Sequence, residues 1–450
     1  MKNQLQMNEK ELLNQLFDEL FPIMRSITGP GIEKSMQMFG EYMPLTITKV
    51  QTGTKVFDWT VPPEWHFKQA KLIDPDGNTV CDAAVNNLHV VNYSEPVDKE
   101  MTLEELEPYL HSIPELPNAI PYATSYYKRK WGFCLSHNKR KKLKPGKYRA
   151  IIDTEFVEGG VPFAQCLLEG ESPKEILITS YLCHPSLANN ELSGPLALLG
   201  IYNRIKNWNK RRYSYRFLLN PETIGSLCFL HEHAKELKQN LVSGLILTCV
   251  GGPAENLKYK SSRLKDSLVN KVFNYNNKTT SLPIDVVPFT PLGGSDERQF
   301  CAPGFNLPMG QISRTTYGKY DGYHNSLDTK DFMKIDSVIE SIETIEQTLK
   351  YIEICGNPVN LQPFGEPQLG KRNLYPNMNS HETRKNSEDE YVDGRTQLNR
   401  ILLMLNMADG ETSLIDIANK AGCSVDDLIP TLLKLEEKEL IKYNVKMPKL

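Results

Sequence analysis

The run Glu175–Leu199, EILITSYLCHPSLANNELSGPLALL, decides the fold. It opens as a continuously apolar strand, passes through a polar loop holding His184, Asn189, Asn190 and Glu191, and closes after Gly194 on an apolar helix-forming run. A strand apolar on both faces needs a sheet covered on both sides, as parallel strands with helical crossovers are. Outward from it, YRAIIDTEF, YSYRFLLNP, LILTCV and PGFNLPMGQI repeat the strand texture, while PLALLGIYNRI, SLCFLHEHAKEL and DFMKIDSVIESIETIEQTLKYIEI are helical. This alternation predicts an α/β domain over residues 1–45 and 149–355, with chemistry on the loops that leave the carboxyl ends of strands.

The flanks read differently. Residues 8–25 place Leu12, Leu13, Leu16, Phe17, Leu20 and Phe21 at helical spacing behind Asn8 as N-cap. Residues 46–148 form short apolar runs broken by Pro, Gly and Asn, with Asp76-Gly77 as a turn, and predict an inserted β-rich domain. Trp59, Trp65 and Trp131 lie there with Tyr93, Tyr122, Tyr126 and Tyr127; they suit either a sheet core or an aromatic wall beside a cleft. Residues 356–394 read as a polar linker, and residues 395–450 as three helices with a β-prone tail, the pattern of a winged helix-turn-helix domain.

Composition bounds the function. The chain of 450 residues carries 52 Lys+Arg against 55 Asp+Glu, net −3, with 40% hydrophobic and 24% charged residues. That is an ordinary globular balance and excludes a surface that traps nucleic acid everywhere, although one domain could still be basic. No apolar run reaches the roughly 18–20 residues that cross a bilayer, and no secretory signal is visible, so the expectation is a cytoplasmic protein without membrane partners. Nine Cys without a C-x-x-C pair predict reduced, mostly buried thiols. In the tail, the presumptive recognition helix carries Asp426, Asp427, Glu436, Glu437 and Glu439, which phosphates would repel. A protein-interaction or homo-oligomerisation role is expected of that domain rather than DNA reading.

The chemistry-bearing residues sit on the strand-end loops. His184 leaves one strand, Glu222 another in LLNPETIGS, Asp296 and Glu297 occupy the Gly-rich TPLGGSDERQF, and His324 lies in YGKYDGYHNSLDT. Two His and several carboxylates on different strand ends are the ingredients of a site for a borderline metal. Glu191 and Glu297 are the candidate bases. Arg314, Tyr323, Lys260 and Arg263 are candidates for binding substrate, and Asp296 for orienting a ligand or loop. Cys183 is expected to face the core, because adjacent strand residues point to opposite faces.

The order H-P-S-x-A-N-x-x-L-S-G, P-E-T-I-G-S, G-S-D-E and Y-H-x-S-x-D resembles the aminopeptidase-like family related to the zinc exopeptidases. VFDWTVPPEW and PYATSYYKRKWGFC resemble its inserted β module, and the helical tail resembles its C-terminal winged helix. The resemblance implies a mixed sheet with helices on both faces and a co-catalytic metal pair. It assigns the metal positions to His184, Asn190, Glu222 and His324. Asn190 stands where the family has the Asp that bridges two metals, Pro221 where it has a base, and Thr248 near the place of a further Asp. A neutral amide cannot supply the bridging charge, so a single zinc on His184, Glu222 and His324 is expected. The implied function is a metal-dependent hydrolase of an amide or peptide-like bond in a small polar or aminoacyl substrate, as a tailoring step in polysaccharide or natural-product biosynthesis. Two other classes compete: a protein with a degenerate metal site that binds, scaffolds or transfers acyl groups, and a ligand-sensing transcription regulator.

Overall fold

A computed structural model describes residues 8–276, 280–375 and 394–443. The chain forms two compact units, residues 1–347 and 348–450. The first opens with α1 (Glu9–Leu20) and α2 (Pro30–Gly40). Asn8 caps α1 in a capping box with Glu11, and Leu13, Leu16, Phe17 and Leu20 form its buried stripe. The helix stops short of the expected Arg25 because Pro22 has no N–H to continue the ladder.

After β1 (Thr46–Gln51) comes the insert, whose sheet is built from β2 (Glu64–Ile73), β3 (Thr79–Asp82), β4 (Val97–Thr102) and β5 (Lys147–Val157) in the antiparallel order β3-β2-β5-β4. Both expected insert boundaries shift. β1 pairs with the main sheet, while YRAIIDTEF becomes β5 of the insert. The reason is periodicity: Tyr148, Ala150 and Ile152 alternate into the insert core, as a half-buried antiparallel strand requires.

The main sheet adds β6 (Gly160–Leu168), β7 (Glu175–Tyr181), β8 (Ser214–Asn220), β9 (Leu241–Leu247), β10 (Leu257–Lys260), β11 (Ile284–Val287) and β12 (Met309–Ser313). Their order is β1-β6-β8-β7-β9-β12-β10-β11. The central β8, β7, β9 and β12 are parallel, and β6 and β10 join them antiparallel. Every residue of β7 and β8 is buried, including Arg216 of β8 and Glu175 of β7, which pair at 2.7 Å. From β7 the chain runs through α3 (Ser193–Lys206) to β8 on one side, then through α4 (Ile224–Asn240) to β9 on the other. This reversal makes the carboxyl end of β7 a topological switch point, where open α/β sheets hold their ligands. With right-handed crossovers, α3 and α4 cover opposite faces. α5 (Ile335–Ile354) completes this set.

In the second unit, α6 (Gly394–Met407), α7 (Leu414–Ala421) and α8 (Val425–Glu437) pack beside a ribbon of β13 (Val359–Asn360) and β14 (Ile441–Lys442). Part of the expected linker is thus a strand of the winged unit; residues 376–393 lie outside the described residues. All nine cysteines are free thiols, and eight are buried. Among the described residues no helix is long and apolar enough to cross a membrane.

Gly194 lets the start of α3 approach the sheet. A Cβ there would lie 2.3 Å from Ser180 Oγ and 2.5 Å from the Leu247 carbonyl oxygen. Gly194→Ala is therefore expected to destabilise the first unit by about 1–3 kcal/mol, read from its urea unfolding midpoint. An unchanged midpoint would show that this approach is not tight.

Candidate metal centre

The carboxyl ends of β7, β8 and β9 send Cys183-His184, Pro221-Glu222 and Thr248-Cys249 to one edge of the sheet. His184 is the buried centre. Its Nδ1 meets Glu191 Oε2 at 2.6 Å and Cys183 Sγ at 3.4 Å, and its Nε2 faces Glu222 Oε2 at 3.8 Å. Its carbonyl oxygen accepts from Arg25 Nε at 3.1 Å and Nη2 at 2.9 Å, while Arg25 Nη1 donates to the Leu20 carbonyl at 2.6 Å. Burial favours neutral imidazole at His184, but the neighbouring Cys183 and Glu191 outweigh it, and the net displacement of its pKa is upward.

Glu191 comes from a π-helical turn, Ala188–Leu192, that precedes α3; such turns recur at functional sites. Asp328 holds this turn by accepting from the backbone N–H groups of Asn189 at 2.9 Å and Asn190 at 2.8 Å. Asn190 Nδ2 donates to the Tyr181 hydroxyl at 3.1 Å, and the same hydroxyl lies 2.7 Å from Thr248 Oγ1. Two buried acceptors in this turn, Asn190 Oδ1 and Glu191 Oε1, have no hydrogen-bond partner. Orphaned oxygens are costly in a protein interior and suit a site that takes a cation.

The other expected ligands converge on His184. Glu222 Oε1 accepts from Ser295 Oγ at 2.8 Å, which leaves Oε2 toward His184. The His324 ring lies 5.5 Å from the His184 ring, centroid to centroid, and stacks on Tyr323 at 4.1 Å. Burial, reinforced by charge on His184, depresses the His324 pKa to about 3, so this imidazole is neutral. Asp296 is wholly buried beneath the Glu222 loop, accepting from Thr223 N–H at 2.7 Å and Asn220 Nδ2 at 3.2 Å. Burial first, and the Glu222 charge second, push its pKa up to about 7. Its two oxygens are thus spent on the backbone of the Glu222 loop and on Asn220.

Cys183, His184 and Glu191 also offer ligand atoms within 4.8 Å of one another. That cluster does not fit zinc well. Bonds of about 2.0–2.1 Å in a tetrahedron separate N and O ligands by about 3.3 Å, whereas Nδ1 and Oε2 stand at 2.6 Å, a charge-assisted hydrogen bond. The donor chemistry instead fits an ion on the Nε2 side, with Glu191 tying down the opposite ring nitrogen, as carboxylates do behind metal-binding histidines.

Two expectations need correction. Glu297 is the counter-ion of Lys260, 2.6 Å away, and also accepts from Ser295 N–H at 2.9 Å, so it is not a free base. Arg314 spends its guanidinium on the carbonyls of Ala254 and Ser337 and on Glu340 at 2.9 Å, and it braces α5 instead of meeting substrate. Arg263 is exposed and bonds Asn306 Oδ1 through Nη1 alone, at 2.8 Å. Tyr323 does line the cleft, a cavity of about 400 Å³ shared with Tyr181, Glu222, Lys260, Gln311 and Tyr317.

Arg25 went unnoticed because it closes an amphipathic pattern, where an Arg reads as solvent-facing; only its complete burial reveals its role. Tyr122 belonged to the undecided insert aromatics, and the structure divides them. Trp65 and Tyr93 are core, whereas Tyr122 stands 4.9 Å from the His184 ring and 5.5 Å from that of His324. A strap of the insert carries it there: Tyr122 N–H donates to the His324 carbonyl at 2.8 Å, and Ile120 exchanges hydrogen bonds with Ser326. Strain marks the same edge. Ser186, Thr223, Cys249 and His324 have φ of 50°, 64°, 52° and 56°, the left-handed region that non-glycine residues avoid unless neighbours impose it.

Comparison with known proteins agrees with this architecture. The family described as Domain of unknown function (DUF4910) matches residues 14–355, and a winged helix-turn-helix family matches residues 357–443. A Clostridium acetobutylicum protein named for polysaccharide biosynthesis and an aminopeptidase-like domain is 43% identical over 407 residues, 90% of each chain. A crystal structure of a protein from that organism, described as a peptidase candidate, superposes with a TM-score of 0.82 at 40% identity over 97% of both chains. A zinc aminopeptidase from Bacillus subtilis shares the fold alone, with a TM-score of 0.57 at 10% identity over 76% of this chain and 94% of its own. The chain belongs to the DUF4910 family, with an aminopeptidase-like mixed α/β fold followed by a winged helix-turn-helix unit.

Proposed function

We propose that the chain is a zinc-dependent hydrolase acting on an amide or peptide-like bond of a small polar substrate. The observation that carries the reading is His184, with Nδ1 fixed by Glu191 and Nε2 turned to Glu222 Oε2, beside the neutral imidazole of His324. His184, Glu222 and His324 would hold the ion, with Asn190 Oδ1 as the further oxygen without a partner. When bound, zinc supplies the Lewis acidity that polarises a carbonyl and acidifies water.

The protein's own groups then have separable tasks. Glu191 positions His184 through Oε2. Asp296 holds the Glu222 loop, and Ser295 orients the Glu222 carboxylate. Tyr122 and Tyr323 wall the two imidazoles and exclude water, which strengthens electrostatics at the reacting bond. The cleft of about 400 Å³ beside Glu222, with Lys260 and Gln311 among its lining, suits a small substrate. The name of the Clostridium relative supports a tailoring step in polysaccharide biosynthesis, and the absence of any carboxylate at Asn190 and Thr248 favours one ion over two. For the winged unit we propose protein association, including self-association. Asp427 there is consumed in capping α8 and Asp426 bonds Tyr351, so acidic groups stand at the end a DNA reader would insert.

Protein purified without chelator is expected to hold about one zinc per chain by plasma mass spectrometry, and His184→Ala and His324→Ala to lose it. Metal-free wild type would instead support the degenerate-site reading that Asn190 and Thr248 also permit. Glu191→Gln is expected to weaken zinc about 10–100-fold in a chelator competition. Unchanged affinity would remove Glu191 from its positioning role.

A further inference from the structure

The near-neutral charge of the chain conceals a segregated patch. Between Lys128 and Arg149 the sequence holds ten Lys and Arg and no Asp or Glu. Three of these cations are matched in ion pairs: Arg140 with Glu107, Lys144 with Asp76, and Arg149 with Asp98. Arg129 lies over the Phe156 ring at 3.7 Å. The remaining six, Lys128, Lys130, Lys139, Lys141, Lys142 and Lys147, are exposed and form no ion pair within 4 Å among the described residues. Lys147 lies within electrostatic reach of Glu105, and among the other five like charge costs self-repulsion, which a polyanion would relieve by displacing its own counterions.

The patch is tied to the strap over the candidate metal centre. The helical turn His137–Arg140 holds the strap's start, Asn138 N–H donating to the Pro117 carbonyl at 3.0 Å and Asn138 Nδ2 to Asn118 Oδ1 at 2.9 Å. Lys128 and Lys130 follow directly on its end, just beyond Tyr126 and Tyr127. Cations therefore flank both ends of the segment that brings Tyr122 onto His184.

We propose that this face of the insert binds a linear anionic polysaccharide, carboxylated or phosphorylated, and so brings its end toward the cleft. The choice among polyanions follows from what accompanies the lysines. Single-stranded nucleic acid is held by stacking bases on aromatic rings. Here Trp131 is already stacked on Tyr109 at 3.9 Å, Phe133 and Tyr148 are buried, and the exposed Tyr127 is engaged edge-on by Trp59 at 5.0 Å. Duplex reading needs a helix or ribbon that enters a groove, and the only helix in the segment has four residues. Membrane-surface binding needs several exposed apolar groups among the cations, and the only exposed large hydrophobic residue from 127 to 149 is Tyr127, its ring edge-on to Trp59. A polyanion that offers charge and hydroxyls alone matches the surface.

The test is calorimetric titration of the full-length protein with polygalacturonate, with neutral dextran, single-stranded and duplex DNA, and phosphatidylserine-containing vesicles as comparisons. Polygalacturonate is expected to bind at low ionic strength and to weaken steeply with salt. The K139E/K141E/K142E variant, altered only at exposed lysines without ion pairs, is expected to bind at least about tenfold more weakly, while K206E, at the C-terminal end of α3, binds as wild type. Absence of binding at low salt, equal binding by the triple variant, or equal binding of dextran would overturn the proposal. Tighter binding of DNA or vesicles than of polygalacturonate would overturn the assignment to a glycan. None of these readouts depends on zinc, so a failed metal centre and a failed docking face are distinguishable.

Discussion

Most of this structure's chemistry depends on holding one imidazole still. His184 is gripped twice: Glu191 takes its Nδ1, and Arg25 gives two hydrogen bonds to its carbonyl oxygen. The first contact chooses which ring nitrogen faces the cleft, and the second fixes the backbone that carries it. Arg25, Glu191 and His184 are all buried, so none can be lost cheaply: removing one partner strands another charge away from water. Asp328 extends the same constraint by holding the turn that supplies Glu191. The strained residues on neighbouring loops are where a fold pays for that fixed geometry.

The insert completes what the sheet begins. The α/β unit presents ligands at a switch point open to solvent on one side, and the strap through Ile120 and Tyr122 closes over the two imidazoles. The same module concentrates unpaired lysines around the ends of that strap. Under the proposals above, recognition and enclosure fall to one module, while His184 and Glu222 follow directly on strand ends and His324 is held on its loop by the strap.

Much of this was legible in the residues, and the misses have physical causes. The unbroken apolar run of Glu175–Tyr181 led directly to a buried parallel strand, and the polar loop after it to the centre of the site. The alternation in YRAIIDTEF signals a strand without naming its partner, and the strand joins the insert sheet; pairing is a tertiary choice. Glu297 and Lys260 are 37 residues apart, so their mutual neutralisation leaves no trace in spacing. Arg314 sits beside the final His motif in sequence, yet its guanidinium points into a brace on α5. Arg25 is the plainest case. Its partner lies 159 residues away, and no local pattern separates a buried clamp from a solvated Arg.

The central claim is that the edge of the sheet at His184 is a mononuclear metal centre whose ligands lie on the Nε2 side. Anomalous diffraction across the zinc absorption edge, on crystals of the full chain grown with zinc, tests it most directly. The account predicts one peak within bonding distance of His184 Nε2, Glu222 and His324, with Glu191 still bonded to Nδ1. A peak between Cys183, His184 Nδ1 and Glu191, two peaks at the Asn190 position, or no peak at all would contradict it.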